Sequence, residues 1–573
     1  MKSTRKICAV VLIAIFAFSM LSSSVKAYAE PVRGKHGMVA SQHELASRIG
    51  VEILKKGGNA VDAAIAVGLA LAVVYPEAGN IGGGGFMLIR DNAGNAHAID
   101  YREMAPKAAA RDIYLDKDGN LIKGEGSSTL GYRASGVPGT LAGFEMAFKK
   151  YGSGKIAWRD IVRPARLLAE NGYVLSFRLA GLFKSYNESL ARYEDSKRIF
   201  LNGGAFYEEG DIFRQPDLAK TLARIEQKGA RDFYSGETAK MIAADMKANN
   251  GLITLDDLKN YRAKERTPLR GTYRGHEIIT MPPPSSGGIV MLEVLNMLEG
   301  YDITKMQYNS AAKYHVLAEA MRRAFADRAE FMGDPDFTNV PVTALTDKNY
   351  AQQRGLSINQ TKASSSREIG HGYIPGGEPM DTTHFTVIDS AGTVVTNTYT
   401  INDLYGSRVT AKGTGVLLND EMDDFAARPG KANMFGLIQG ERNKVQAGKR
   451  PLSSMTPTIV LKKDGSFWFA LGARGGPRII SAVLQSVMNV IDFDMDIQAA
   501  IDAPRIHHQW LPDELLYEPV GFSPDTLNIL TGYGHKFTDK PGNVASATGV
   551  MVDDKGVRLG AIDSRSDGMA VGY

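Results

Sequence analysis

Thr382 and Thr400 are the first residues from which a chemistry can be read. Residues 384–389 and 393–400 are strand-like and flank Ser390-Ala391-Gly392. A three-residue loop ending in glycine is a common hairpin connection. With that loop Asp389 pairs with Thr393, and Thr382 falls directly opposite Thr400. Cross-strand partners share a face, with Cβ atoms about 4.5–5.5 Å apart, so two hydroxyls converge. Threonine pairs are also common in strands that do no chemistry. An internal threonine hydroxyl is a poor nucleophile. A threonine that begins a chain is different, because its own α-amino group, with a pKa of about 7.7–8.0, acts as the base. That use requires a cut between Asp381 and Thr382. The Thr382 hydroxyl can make the cut by attacking the carbonyl of Asp381, after which water hydrolyses the ester.

Other motifs accompany the pair. Thr400-x-Asn402, Met422-Asp423-Asp424-Phe425, Arg450-Pro451-Leu452-Ser453-Ser454-Met455 and Gly475-Gly476 accompany it. Ahead of it come Gly57-Gly58-Asn59-Ala60-Val61-Asp62, the run Gly82-Gly83-Gly84-Gly85, Arg102-Glu103-Met104-Ala105-Pro106, Gly136-Val137-Pro138-Gly139 and Pro283-Pro284-Ser285-Ser286-Gly287-Gly288. His507-His508-Gln509-Trp510 and the closing Gly572-Tyr573 complete the set. In this order, over essentially the whole chain after residue 29, the motifs resemble the γ-glutamyltranspeptidase family.

The resemblance implies a four-layer αββα sandwich of the N-terminal-nucleophile hydrolase type. It implies a precursor divided into a large fragment, 30–381, and a small one, 382–573, that stay together as one intertwined domain. It also implies roles. Thr382 is the nucleophile, and Thr400 hydrogen-bonds near it and assists processing. Arg102, helped by Ser453 and Ser454, takes the α-carboxylate of a γ-glutamyl group. Asn402, Glu421 and Asp424 take its α-ammonium, and the backbone N–H groups of Gly475 and Gly476 form the oxyanion hole. The activity implied is γ-glutamyl transfer from glutathione, or a similar donor, to water or to an amino acid or peptide, with no cofactor. The side chains suit these tasks: a guanidinium matches a carboxylate with parallel hydrogen bonds, and glycines let backbone donors approach an oxyanion. Singly, Arg102 also reads as a surface ion pair, Asp424 as a cap and Ser453-Ser454 as a turn. Two departures from the family pattern stand near the site. Phe435 occupies a position in the lid, about 429–449, where many bacterial members carry tyrosine, and Arg474 stands where proline is frequent. Arg474 is expected to bring a positive charge toward the acceptor side.

The alternatives are acylases of the same fold acting on β-lactam side chains or on poly-γ-glutamate, and an uncleaved binding protein. The charge set around Arg102 argues against the first, the presence of the lid against the polymer, and retention of both threonines and both glycines against the last. Glu77 and Asp100 have no carboxylate partner at glycosidase spacing. The glycine run at 82–85 lacks the lysine and hydroxyl of a phosphate loop and reads as close backbone packing. His507 and His508 are adjacent, so on a strand they face opposite sides, and no metal is expected.

The elements that must carry these residues are mixed. Ser41 with Glu44 reads as a capping box opening a helix that runs to Gly57-Gly58. Asn59 with Asp62 opens a second helix, apolar nearly all round and therefore buried. Further helices are predicted at 141–151, 161–171, 218–228, 237–249, 311–332, 479–491 and 497–503, and strands at 458–462 and 467–471. The polar, unpatterned stretch 359–379 is expected to be flexible and to expose the bond before Thr382.

Residues 1–29 read as a secretory signal peptide. Lys2, Arg5 and Lys6 precede an apolar run of 15 residues from Ile7 to Leu21, and Ala27-Tyr28-Ala29 offers a cleavage site. The run is short for a membrane span of ~20 residues, so no stable anchor is expected and the location is periplasmic or secreted. The segment holds four basic and no acidic residues, leaving 63 basic against 63 acidic residues. A neutral mature chain gives no reason to expect nucleic acid as a partner. Cys8 is the single cysteine and is lost with the signal, which excludes disulfides and thiol chemistry.

Overall fold

In the computed structural model, residues 29–370 and 382–573 are described. The expected signal peptide, Asp381 and the second half of the 359–379 stretch lie outside the described residues.

Two seven-stranded antiparallel sheets form the middle of the molecule. The first runs Val32–Gly34, Arg558–Ile562, Ser546–Val552, Phe467–Arg474, Thr458–Leu461, His276–Thr280 and Leu269–Tyr273. The second runs Met569–Gly572, Met38–Ser41, Thr383–Ile388, Val394–Thr400, Gly84–Arg90, Ala96–Asp100 and Lys264–Arg266. The sheets pack on each other through Thr383–Ile388 and Val394–Thr400 against Phe467–Arg474 and Ser546–Val552. Helices Glu44–Lys55, Ala60–Val74 and Thr140–Tyr151 cover the outer face of the second sheet, and Gly287–Leu298, Arg478–Phe493 and Ile497–Asp502 cover the first. The fold is thus a four-layer αββα sandwich. Each sheet interleaves strands from before and after residue 381, so neither sequence half contains a complete sheet.

The central hairpin has the counted register. Thr383 pairs with Tyr399 and Ile388 with Val394, and the Asp389 N–H donates to the Thr393 carbonyl at 3.1 Å. Gly392 has φ +89°, which is why glycine ends the loop. The Asp389 carboxylate accepts from the N–H groups of Ala391 and Thr393 within the loop. It also accepts from the Ala60 N–H at 3.0 Å, and an anion at a helix start is favoured by the helix dipole. One side chain therefore closes the hairpin that carries both threonines and fixes it to the helix Ala60–Val74. That helix is buried along its whole length and opens with the Asn59–Asp62 capping box.

The glycine run explains how Thr400 reaches its place. Gly84 and Gly85 pair with Thr400 and Tyr399 across the sheet. A Cβ on Gly83 would overlap the Thr400 carbonyl oxygen, and one on Gly85 the Thr398 carbonyl oxygen. Only glycine permits this approach, in keeping with the packing read from the sequence.

Two expectations need correction. The capping residue of Glu44–Lys55 is His43, whose Nδ1 accepts from the Leu45 N–H at 3.2 Å. Ser41 still belongs to the strand, paired with Phe385 and Met569, so sheet pairing outcompetes the capping box. The described part of the 359–379 stretch is also pinned rather than loose. The Ser364 N–H donates to Glu319 and the Ser366 N–H to Asp513, while Trp510 Nε1 donates to the Ser366 carbonyl. Its lack of pattern reflects anchoring by side chains of other elements, which leaves no periodic signal. The helix Gly287–Leu298, buried throughout, was not anticipated.

Candidate active site

Thr382 stands one residue before its strand, at the open end of the hairpin, and only 5 % of its surface is exposed. Its Oγ1 lies 3.4 Å from Thr400 Oγ1, toward which it donates. Thr400 Oγ1 also accepts from the Asn402 N–H at 2.8 Å. Asn402 has φ +77°, a conformation that costs a non-glycine residue about 1–3 kcal/mol. The hydrogen bond to Thr400 and another from Asn402 Nδ2 to the Asp420 carbonyl at 3.1 Å hold it there. With Nδ2 so engaged, Oδ1 is the amide's remaining acceptor.

Both residues line one narrow cleft. Around them stand Arg102, Glu421, Asp424, Ser453, Ser454 and Gly476, with Phe435, Leu437, Met455, Pro477 and Ile479 as the apolar wall. Nearly every site residue anticipated from sequence therefore falls in one cleft. Gly475 adjoins it without lining it.

Charge dominates one side of the cleft. Arg102 follows the strand Ala96–Asp100 and is 1 % exposed. Its guanidinium makes charge-assisted hydrogen bonds to both Glu421 and Asp424 and lies 3.6 Å from Glu103. Nε donates to the Pro451 carbonyl and Nη2 to the Leu452 carbonyl, at 3.2 and 3.3 Å. The surface ion pair weighed for Arg102 is excluded by this burial. The residues expected to bind a carboxylate and an ammonium are thus paired with each other. Burial disfavours the Arg102 charge, but the three carboxyl groups outweigh it and hold its pKa above the ordinary value. Burial pushes Glu421 well above the usual carboxylate range and raises Asp424, with Arg102 opposing in both cases. Burial raises Glu103 to about 7, again against Arg102. Three carboxyl groups crowded on one guanidinium do not all ionise. A cation entering beside them would let them do so.

The Arg450–Met455 segment supplies the opposite wall. The Ser453 N–H donates to the Pro284 carbonyl and the Ser286 N–H to the Ser453 carbonyl, at 2.9 and 2.8 Å. This short bridge fixes the segment against Pro283–Ser286. Ser453 Oγ accepts from the Met455 N–H.

Gly475 and Gly476 join the strand Phe467–Arg474 to the 16-residue helix Arg478–Phe493. Their φ values are +133° and +54°. A Cβ on Gly475 would meet Ala545, and one on Gly476 the Phe435 ring at 3.1 Å. Their N–H groups have no hydrogen-bond partner among the described residues, and they precede a helix start, where backbone donors and the dipole favour negative charge.

Phe435 closes the cleft over Gly476. Its segment is tied down by the Met434 N–H to Asp423 at 2.8 Å, by Gln509 Nε2 to the Phe435 carbonyl at 3.1 Å, and by Gln439 and Asn443 to the Asp424 carbonyl. Arg474 does not line the cleft. Its guanidinium lies over the Tyr75 ring, 5.8 Å from the centroid. His507 contacts Ser481 and Gln509, whereas His508 accepts from the Trp510 N–H and lies near Asp513. Arg328, a second buried guanidinium behind Ser454, was missed. It lies in no motif, and three buried arginines on the one helix Ala311–Phe331 were the available signal.

Residues 46–573 match the family model described as gamma-glutamyltranspeptidase. The glutathione hydrolase proenzyme of Escherichia coli (strain K12) is 49 % identical over 545 residues, covering 95 % of this chain and 93 % of that protein. The crystal structure of cephalosporin acylase from Bacillus halodurans superposes with a TM-score of 0.83 at 27 % identity, covering 96 % of this chain and 98 % of that one. A chain of the Helicobacter pylori gamma-glutamyltranspeptidase structure is 45 % identical with a TM-score of 0.56, covering 60 % of this chain and 96 % of its own length.

Proposed function

The chain belongs to the γ-glutamyltranspeptidase family, and from that premise we propose how its cleft carries out the reaction. The protein is an enzyme of γ-glutamyl transfer and glutathione hydrolysis. The γ-glutamyl group of the donor is a zwitterion at its α-carbon. Its α-carboxylate takes the Arg102 guanidinium and the Ser453 and Ser454 hydroxyls. Its α-ammonium takes Glu421, Asp424 and Asn402 Oδ1. The zwitterion thereby exchanges partners with an existing ion pair and adds no net charge to the cleft. A donor without the ammonium leaves three carboxyl groups on one guanidinium, which disfavours the acylase reading.

Processing comes first. Thr382 Oγ attacks the carbonyl of Asp381, the acyl group shifts from nitrogen to oxygen, and water hydrolyses the ester. Thr382 then carries a free α-amino group. In catalysis that amine accepts the hydroxyl proton as Oγ attacks the donor's γ-carbonyl. The developing oxyanion is met by the N–H groups of Gly475 and Gly476, and losing one such donor costs ~10²–10³ in rate. The C–N bond breaks, the amine leaves with the proton, and a γ-glutamyl ester remains on Thr382. Water yields glutamate, and an amino acid or peptide amine yields a new γ-glutamyl amide. Every step uses this chain's own residues.

We further propose that residues 1–29 are removed on export, and that 30–381 and 382–573 remain as one heterodimer because their strands alternate in both sheets. The large fragment would be 352 of 573 residues, a share supported by the 60 % of this chain matched by one Helicobacter chain. Among the described residues no helix is long and apolar enough to cross a membrane.

The observation that carries the reading is the single cleft in which Thr382 faces the Arg102–Glu421–Asp424 cluster. Purified enzyme is expected to release p-nitroaniline from γ-glutamyl p-nitroanilide, faster when glycylglycine is added. No release by wild type, or undiminished release by Thr382→Ala, would refute it.

A further inference from the structure

Arg328 sits on the helix Ala311–Phe331, is 1 % exposed, and does not line the cleft. Nothing in the two-step reaction uses it. Its Nε donates to Ser286 Oγ at 2.8 Å and its Nη2 to Ser454 Oγ at 3.3 Å. Its Nη1 has no hydrogen-bond partner among the described residues. A buried guanidinium with an unmet donor is uncommon and calls for a reason.

The two bonds that the guanidinium does make show what it holds. Ser286 spends its own proton on the Ser453 carbonyl, at 2.7 Å, while accepting from Arg328. Arg328 thus holds the residue that fixes the Ser453 main chain. At Ser454 the guanidinium occupies an acceptor position of Oγ, so the hydroxyl proton is left to donate. Ser453 Oγ is in the same state, because it accepts from the Met455 N–H. Neither hydroxyl has an acceptor among the described residues. Two hydroxyls prepared to donate, at the edge of a cleft that also holds Arg102, suit a carboxylate. The surrounding charges agree: Asp424 attracts the Arg328 guanidinium and Arg102 repels it, while burial brings its pKa down to about 10.

Resting on the γ-glutamyl reading of this cleft, we infer that Arg328 is a positioning residue for donor selection. It orients the Ser454 hydroxyl toward the donor's α-carboxylate and adds a second positive charge behind that subsite, so that the enzyme selects donors bearing an anion at the α-carbon. The competing view is that Arg328 only ties the helix to the Pro283–Ser286 and Ser453–Ser454 turns.

The test compares two anilides with the processed enzyme: γ-glutamyl p-nitroanilide and 4-aminobutyryl p-nitroanilide, which lacks only the α-carboxylate. Arg328→Met is expected to raise KM for the γ-glutamyl anilide about tenfold or more with kcat within about threefold, the size of one charge-assisted hydrogen bond lost equally from ground and transition states. kcat/KM for 4-aminobutyryl anilide is expected to change by less than about threefold. In a Ser454→Ala background the same substitution should add much less, since coupled residues are not additive. Arg328→Lys, which keeps the charge and loses the fork, should recover part of the affinity. It also carries the test if the methionine variant does not fold, an unchanged KM for Arg328→Lys overturning the inference. Equal losses on both anilides, or a full effect in the Ser454→Ala background, would overturn it in favour of the purely structural role. A wild type that cleaved neither anilide would overturn the functional reading and this inference together.

Discussion

Replacing Arg102 by methionine removes the charge on which the whole donor subsite turns. In the empty cleft the guanidinium pairs with Glu421 and Asp424, and with donor bound it is the partner of the α-carboxylate. Hydrogen bonds to charged groups contribute ~1.5–3 kcal/mol each, so losing two costs roughly 3–6 kcal/mol, or ~10²–10⁴ in kcat/KM. Stability responds as well. Breaking a buried pair costs ~3–5 kcal/mol when the remaining charge has no partner. Here that loss is softened, because burial already raises Glu421 and Asp424 and they can take up protons. A carboxyl whose folded pKa is raised adds stability below its unfolded pKa and loses it as pH rises through the folded one. The variant should therefore be destabilised more at pH 8 than at pH 5. The assay is kcat/KM for γ-glutamyl p-nitroanilide beside 4-aminobutyryl p-nitroanilide, with thermal melts at both pH values. Arg102→Met should nearly abolish the preference for the first substrate while self-cleavage still occurs. A loss below about threefold, or an equal loss on both substrates, would refute the assignment.

Other perturbations bear on neighbouring parts of the argument. Thr400→Val removes the acceptor for both Thr382 Oγ1 and the Asn402 N–H; an unmet buried donor costs ~1–3 kcal/mol, so processing should slow by about tenfold, seen as precursor persisting on gels, with Thr400→Ser restoring most of it. Normal processing by the valine variant would remove Thr400 from the mechanism. Burial lowers His384, His507 and His535 to about 3 and His508 to about 4. A histidine with a lowered folded pKa contributes stability that is complete above the unfolded value of about 6.5 and is lost as pH falls toward the folded value. Urea midpoints should thus fall steeply from pH 6.5 to pH 4. His384→Gln should reduce that slope by about 1.4 kcal/mol per pH unit, one proton's worth, and an unchanged slope would contradict the assignment.

Local features of the chain were legible before the fold was seen. The hairpin register followed from one glycine-ended loop, and the Asn59–Asp62 cap and the apolar helix after it follow from spacing alone. The glycine run announced close packing but not its partner, since the Thr400 carbonyl lies more than 300 residues away. The capping box at Ser41 failed for a similar reason: its strand partners, Phe385 and Met569, are remote and leave no local mark. Within the site, residue types suggested a carboxylate and an ammonium subsite. Spacing could not show that Arg102, Glu421 and Asp424 neutralise one another in the empty cleft. Arg328 was hidden because its partners, Ser286 and Ser454, belong to separate segments that meet only through the bridge between Pro283–Ser286 and Ser453. Arg474 shows the converse, a residue adjacent to Gly475 whose side chain lies over the Tyr75 ring and does not line the cleft.

The central claim is that Thr382 releases itself and then serves as the nucleophile. It is tested most directly by purifying the wild type and Thr382→Ala side by side, separating each on a denaturing gel and sequencing the smaller fragment from its N-terminus. The wild type should give two fragments, the smaller beginning Thr-Thr-His-Phe, while Thr382→Ala stays as one chain with no γ-glutamyl anilide turnover. A wild type that remained a single chain while turning over substrate, or an alanine variant that still divided at this bond, would contradict the account.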